Sequence, residues 1–355
     1  MKKTVSLLRQ IVIISIITFI LTEITFRIYH RINPSFMFYD TSYNRWRGKP
    51  FAEDYDFNLN SRGFKDVEFS QQKEEGTYRI IGLGDSFAYG VVPYQHNYLT
   101  LLEEQLNNNN NQKIEVLNMG LIGTGPQDYL SVLVNEGLAL NPDMVLLSFY
   151  IGNDFIDNRI TGIDRKVLSD SDSYVITFIR GLIKIHSQYQ GHVYFTKDDK
   201  YEDDGATFSD EVYLQKTQER SLIFNRKPAR PEPFKNAFND ALGDLLKIKE
   251  ICNYHKINLV IVLIPDEVQV SPTLQKKVIE AFGVSQDAFD FKLANKLLAA
   301  ELEENNINYL DLYDYFKPKG GEISFYKPND THWNIAGNKL AAEAIENYLS
   351  EKFFK

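Results

Sequence analysis

Apolar positions follow two patterns along the chain. The first is a nearly unbroken apolar segment from Ile11 to Leu21 that continues through Ile24, Phe26 and Ile28. The second begins near Thr77 and repeats: a short apolar run, a cluster of turn residues, then apolar positions at helical spacing. The short runs Arg79–Leu83, Ile114–Leu117, Met144–Phe149, Leu259–Ile264 and Asn308–Leu312 read as strands. Helical spacing is expected over Tyr98–Gln105, Gln127–Leu138, Ala237–Tyr254, Asp287–Glu304 and Ile335–Leu349, with a solvated turn at the five asparagines Asn107–Asn111. Strands that alternate with helices predict an α/β fold, a flavodoxin-like doubly wound and mostly parallel five-stranded sheet.

The N-terminal segment reads as a transmembrane helix. From Ile11 to Ile28 a helix extends about 27 Å, close to the hydrocarbon thickness of a bilayer. No small-x-small cleavage site follows Thr22-Glu23-Ile24-Thr25-Phe26-Arg27, so an uncleaved anchor is expected. Glu23 is costly in lipid, and Arg27, four residues on, is placed to pair with it near the headgroups. Basic residues flank both ends of the span and leave its orientation open by charge alone.

Three segments follow from this pattern: an anchor over 1–31, a tether and strap over 32–76, and a catalytic domain over 77–355 interrupted by an insertion at 157–236. The strap is aromatic and polar, with the turn signal Asn60-Ser61-Arg62-Gly63-Phe64 and aromatic side chains as its expected anchors. The insertion holds an apolar helical stretch, Tyr174–Ile185, a charged turn at Lys197–Asp204 and an extended connector at Arg226–Pro233. It reads equally as a rim cover or as a lid. His186 and His192 within it read as surface residues.

Composition narrows the chemistry. The 355 residues are 43% hydrophobic and 25% charged, with a formal charge of -9, which argues against a nucleic-acid partner. A single cysteine, Cys252, excludes an internal disulfide and a thiolate metal cluster. No cofactor and no metal are expected.

Chemistry gathers where strands end. Gly84-Asp85-Ser86 ends the first strand, Asn118 to Gly125 follows the second, and Gly152-Asn153-Asp154 follows the third. Ser86 or Asp85 alone could be a helix cap, yet these loops converge on one sheet edge, where α/β folds bind ligands. There a serine nucleophile, a glycine N–H and an asparagine amide make an acyl-transfer site. Asp330 and His332 precede the last helix. A carboxylate on the same short loop as a histidine can hold its second nitrogen toward a serine.

Taken together, these residues resemble the SGNH (GDSL-type) hydrolase superfamily over about Thr77–Glu351. The resemblance implies Ser86 as nucleophile, an oxyanion hole from the N–H groups of Ser86 and Gly123 and the Asn153 amide, and Asp330 and His332 as acid and base. The common last block is Asp-x-x-His; this chain has Asp-x-His, with Asn329 where that acid would fall, a spacing similar to membrane-linked SGNH proteins and periplasmic alginate O-acetylation proteins. The resemblance also implies a catalytic domain outside the cytoplasm.

The expected function is serine-dependent ester hydrolysis, removing acyl groups such as acetyl from a carbohydrate or lipid. O-acyltransfer to a cell-surface or exported polysaccharide uses the same residues, and a non-catalytic polysaccharide-assembly role is the third reading. A dinucleotide loop is rejected because Phe87 stands where the third glycine would be. Trp333, beside His332, is a candidate for stacking on a sugar.

Overall fold

The structure is a computed structural model that describes residues 2–155, 172–185, 200–226, 232–317 and 324–354. His186 and His192 lie outside these residues, as do most of the connector at 226–233 and the first part of the insertion.

Five short runs rich in β-branched and aliphatic residues form one parallel sheet: β3 (Tyr78–Leu83), β4 (Ile114–Asn118), β5 (Met144–Tyr150), β6 (Asn258–Ile264) and β7 (Asn308–Asp311). Its order is β4-β3-β5-β6-β7, with every neighbouring pair parallel. This is the flavodoxin-like order expected from the sequence, and it places the topological switch between β3 and β5. Two small antiparallel strands, β1 (Glu53–Asp54) and β2 (Phe57–Asn58), lie outside the sheet.

In chain order the helices begin with α1 (Lys2–Ile32), α2 (Ser86–Tyr89), α3 (Tyr98–Asn109) and α4 (Pro126–Val132). Then come α5 (Tyr174–Ile185), α6 (Asp210–Ser221), α7 (Glu232–His255), α8 (Glu267–Val270), α9 (Pro272–Phe282), α10 (Leu293–Glu304), α11 (Tyr313–Phe316) and α12 (Ile335–Phe353). Because a parallel sheet is covered on both faces, β5 and β6 are buried almost throughout, and two apolar clusters form, one on each side. Helix α1 is long and apolar enough to cross a membrane.

Some boundaries differ from expectation, each for a local reason. Helix α3 runs through Asn109 because the asparagines satisfy its end: the Asn107 and Asn110 amides donate to Glu103 and Leu106 carbonyls, and Asn107 Oδ1 accepts the Ile114 N–H. Helix α4 stops at Val132 and widens into a π turn. The stretch expected as one helix from Asp287 is broken by extended Phe289, which bridges to Asn225, so α10 starts at Leu293. Within β3, Arg79 is fully buried and donates to Glu115 and to the Leu140 carbonyl. Helix α9 is additional; Ser271 caps it, Pro272 opens it and Gly283 closes it in the left-handed region.

Residues 33–76 lie against the domain, and charge does much of the fastening. Lys65 is buried, donating to the Gly90 and Val92 carbonyls and pairing with Asp54 at 3.1 Å. Arg47 pairs with Glu136, and Phe64 and Tyr43 fill the core beside it. Asp66 accepts the Asn118 N–H at 2.7 Å and the Tyr94 hydroxyl at 3.0 Å, which ties the strap to the end of β4.

Burial pushes the Asp66 carboxyl up to about 7, against the pull of the Asn118 N–H. A folded value above the ordinary one means that the folded state holds a proton the unfolded chain has released. Its stabilisation is therefore complete at about pH 4 and lost as pH rises to about 7. Asp85, pushed to about 6, and Glu267, pushed to about 7, both chiefly by burial, act with the same sign. The melting temperature of the full chain in detergent should fall across this window, and D66N should flatten the slope. A D66N profile parallel to the wild type would contradict the assignment.

Candidate active site

The end of β3 sets the geometry. Gly84 leads into Asp85, whose side chain caps α2 by accepting the Phe87 N–H at 2.9 Å. Capping thus falls to Asp85, and the Ser86 hydroxyl faces His332, with His332 Nε2 2.8 Å from Ser86 Oγ. On the other side of the ring, His332 Nδ1 lies 2.6 Å from Asp330 Oδ1. With the Nδ1 proton donated to Asp330, Nε2 is left to accept from Ser86.

The Asp-x-His spacing has a specific consequence. Asp330 Oδ1 accepts the backbone N–H of His332 at 3.0 Å as well as the ring N–H, so one oxygen serves one residue twice. Asn329, at φ +48°, takes the left-handed turn that brings the carboxylate round. The second oxygen, Oδ2, accepts from the hydroxyl of Thr207 in the insertion. Burial acts to raise Asp330, but the His332 and Thr207 hydrogen bonds outweigh it and hold the carboxyl at about 2.

The Thr207 segment is itself fastened to the loop. Phe208 N–H donates to the Asn329 carbonyl at 3.2 Å, and the Asn329 amide returns to the Phe208 carbonyl and to Asp210. Beneath it, the Tyr213 hydroxyl hydrogen-bonds Glu267 and lies 3.1 Å from the Asp330 carbonyl oxygen, and Arg220 pairs with Asp266 at 2.7 Å.

The other expected donors lie on loops beside the end of β3. Gly120 lets the loop after β4 pass close to α2: a Cβ there would lie 2.4 Å from the Tyr89 nitrogen. Leu121 N–H donates to the Gly84 carbonyl, and Thr124 also reaches it, so the loop is tied two residues from Ser86. Gly123 has φ +70°, a conformation that favours glycine, and among the described residues its N–H has no partner. Asn153 follows β5, and its amide favours the Asp85 carboxylate. Ser86, Asp330 and His332 are thus in one hydrogen-bonded line, with Gly123 and Asn153 on the loops from the two strands beside β3.

Trp333 does not face the site. It is 2% exposed and stacks on Phe316 at 5.2 Å, with Phe87 and Tyr98 edge-on. Its place after His332 turns it inward, into the core under α12. The indole near the site is Trp46 of the strap, 3.7 Å from where a Gly123 Cβ would stand. Sequence reasoning did not single out Trp46, Thr207 or Tyr213, because none sits in a strand-end motif.

Residues 222–355 match the family described as SGNH hydrolase-like domain, acetyltransferase AlgX. A comparison with curated proteins finds no match. Among solved structures, the chain is similar to a two-domain esterase (CEX) active on acetylated mannans, with 13% identity over 78% of this chain, a TM-score of 0.41, and only 49% of that chain spanned. It is also similar to the lipase/acylhydrolase of Enterococcus faecalis (16% identity, 78% of this chain and 96% of that one, TM-score 0.38). A putative lipolytic protein of the G-D-S-L family from Desulfitobacterium hafniense DCB-2 gives 14% identity over 76% of this chain and 98% of that one, TM-score 0.38.

Thr207 should matter through Asp330. T207V removes the donor to a charged oxygen, an interaction of about 1.5–3 kcal/mol, so ester turnover should fall about 10- to 100-fold with little change in KM. T207S should restore it. Equal losses in both variants would mean that Thr207 only supports the fold.

Proposed function

We propose that the protein is a serine-dependent acyl-ester hydrolase whose acyl-enzyme forms on Ser86. The observation that carries this reading is the line Ser86 Oγ, His332 Nε2, His332 Nδ1, Asp330 Oδ1, with both contacts at hydrogen-bond distance. His332 takes the Ser86 proton as Oγ attacks the ester carbonyl, and ionised Asp330 stabilises the imidazolium. The N–H groups of Ser86 and Gly123, with the Asn153 amide, receive the negative charge on the carbonyl oxygen. The alcohol leaves with the proton from His332, and water, activated by the same histidine, releases the acid.

The family description names an acetyltransferase, which favours acetyl as the acyl group. Trp46 against Gly123 offers an aromatic face at the acyl site, the kind of surface on which a sugar ring packs. A glycan hydroxyl in place of water would make the same acyl-enzyme an O-acyltransferase. On this reading 1–31 is the membrane anchor, 32–76 the strap and 77–355 the catalytic domain, held outside the cytoplasm.

Hydrolysis of p-nitrophenyl acetate by the full chain in detergent tests the scheme. S86A and H332A should each abolish turnover, N153A should lower kcat about 100- to 1000-fold, and S86A should also escape labelling by a serine-directed phosphonate. A wild type that neither hydrolyses ester nor reacts with phosphonate would favour a non-catalytic assembly role. Acetylated sugar formed when donor and glycan are supplied together would assign transfer. W46A should raise KM for an acetylated oligosaccharide and leave p-nitrophenyl acetate unaffected; equal effects on both would remove Trp46 from sugar binding.

A further inference from the structure

Helix α5 is amphipathic, and only one of its faces is covered by the protein. On the inner face Tyr174 is buried under the Arg27 guanidinium, Phe178 packs on Phe26, Phe36 and Phe38, and Gly181 lies against the Phe38 ring. On the outer face Ile176, Ile179, Leu182 and Ile183 are 42% to 65% exposed. At helical spacing these four fall within an arc of about 120°. Arg180, on the edge of that arc, is exposed too.

The attachment to α1 is polar and specific. Glu23, the carboxylate inside the apolar helix, accepts the N–H groups of Tyr174 and Val175, each at 3.0 Å, and the Ser173 hydroxyl at 3.0 Å. It caps the first turn of α5 while pairing with Arg27, which also donates to the Asp172 carbonyl. This fixes the level of α5. It joins α1 at Glu23 to His30, just beyond the Ile11–Leu21 run, where the span would leave the hydrocarbon.

We infer that α5 is a second membrane-binding element, lying in the headgroup boundary of the bilayer that α1 crosses, with Ile176, Ile179, Leu182 and Ile183 in the acyl layer. The inference rests on the reading of α1 as an anchor. Lipid is the occupant because α1, against which α5 packs, exposes Phe19, Ile20, Ile24 and Ile28 as well, and one bilayer covers the apolar side chains of both helices. An amphipathic helix with a basic edge is the form that binds such an interface, its arginine reaching back to the headgroups. Two attachments fix the domain's tilt, where a single span would let it swivel.

The test uses the full chain in phosphatidylcholine–phosphatidylglycerol vesicles, with single cysteines carrying an environment-sensitive fluorophore. Ile179→Cys and Ile183→Cys report α5, Ile17→Cys reports α1, and exposed Val284→Cys reports the aqueous side; buried Cys252 stays unlabelled. The proposal expects doxyl lipid to quench the α5 probes by about half, as it does the α1 probe, with iodide quenching only Val284→Cys. Iodide quenching of both α5 probes with lipid quenching at Ile17 would overturn the proposal and leave the anchor intact. Failure of lipid to quench Ile17→Cys would overturn the anchor and the proposal together. An Ile183→Cys crosslink between two copies, with no lipid quenching, would assign the face to self-association and overturn it as well.

Discussion

The site depends on one hydrogen bond that spans 246 residues of chain, from Ser86 to His332. Neither residue is placed by its neighbours in sequence. Ser86 is delivered by β3, the first strand of the sheet, and His332 by the loop that enters α12 after the last. The parallel register between β3, β5, β6 and β7 is what carries one to the other, and it is specified because β3, β5 and β6 are buried along almost their whole length. The core therefore sets the distance on which the proposed proton transfer relies, and the loops need only supply the groups.

Several buried charges among the described residues follow one pattern: each is held by an opposite charge or by backbone and hydroxyl groups. Lys65 has two carbonyls and Asp54; Arg79 has Glu115 and a carbonyl; Asp266 has Arg220 and the Tyr150 hydroxyl. Glu23 follows the same pattern in a more costly setting. Near the hydrocarbon boundary expected for α1 an isolated carboxylate is disfavoured, but a helix N-terminus and an arginine replace the water it would lose. Arg27 of the same helix and the first turn of α5 together satisfy it.

The sheet was legible because its five strands are apolar runs ended by turn residues, a signal that tertiary context strengthens. Ser86, Asp330 and His332 were legible because each stands at a strand end or helix start, where backbone geometry aims side chains outward. What the sequence hid depends on distance in the chain. Thr207 is an ordinary threonine until folding brings it to Asp330, and Trp46 is one aromatic among many until Gly123 lies beneath it. Trp333 misled for the opposite reason: adjacency to His332 suggests the site, yet neighbouring residues on an extended segment point to opposite sides. The asparagine run misled because composition suggests solvent, whereas Asn107 and Asn110 side chains can satisfy a helix end as well as water does.

The short Asp-x-His spacing links these observations. With the acid only two residues away, Asp330 spends one oxygen on the His332 backbone and ring together, and the orientation of the carboxylate then turns on what holds its other oxygen. In this chain Thr207 holds it, and Thr207 belongs to the same excursion of chain as α5. That excursion is fastened near one end to Glu23 of α1 and near the other to the acid of the candidate triad. An insertion that served only as a rim cover would need neither attachment. Its two anchoring points lie on the helix expected in the membrane and on the carboxylate expected to orient the base.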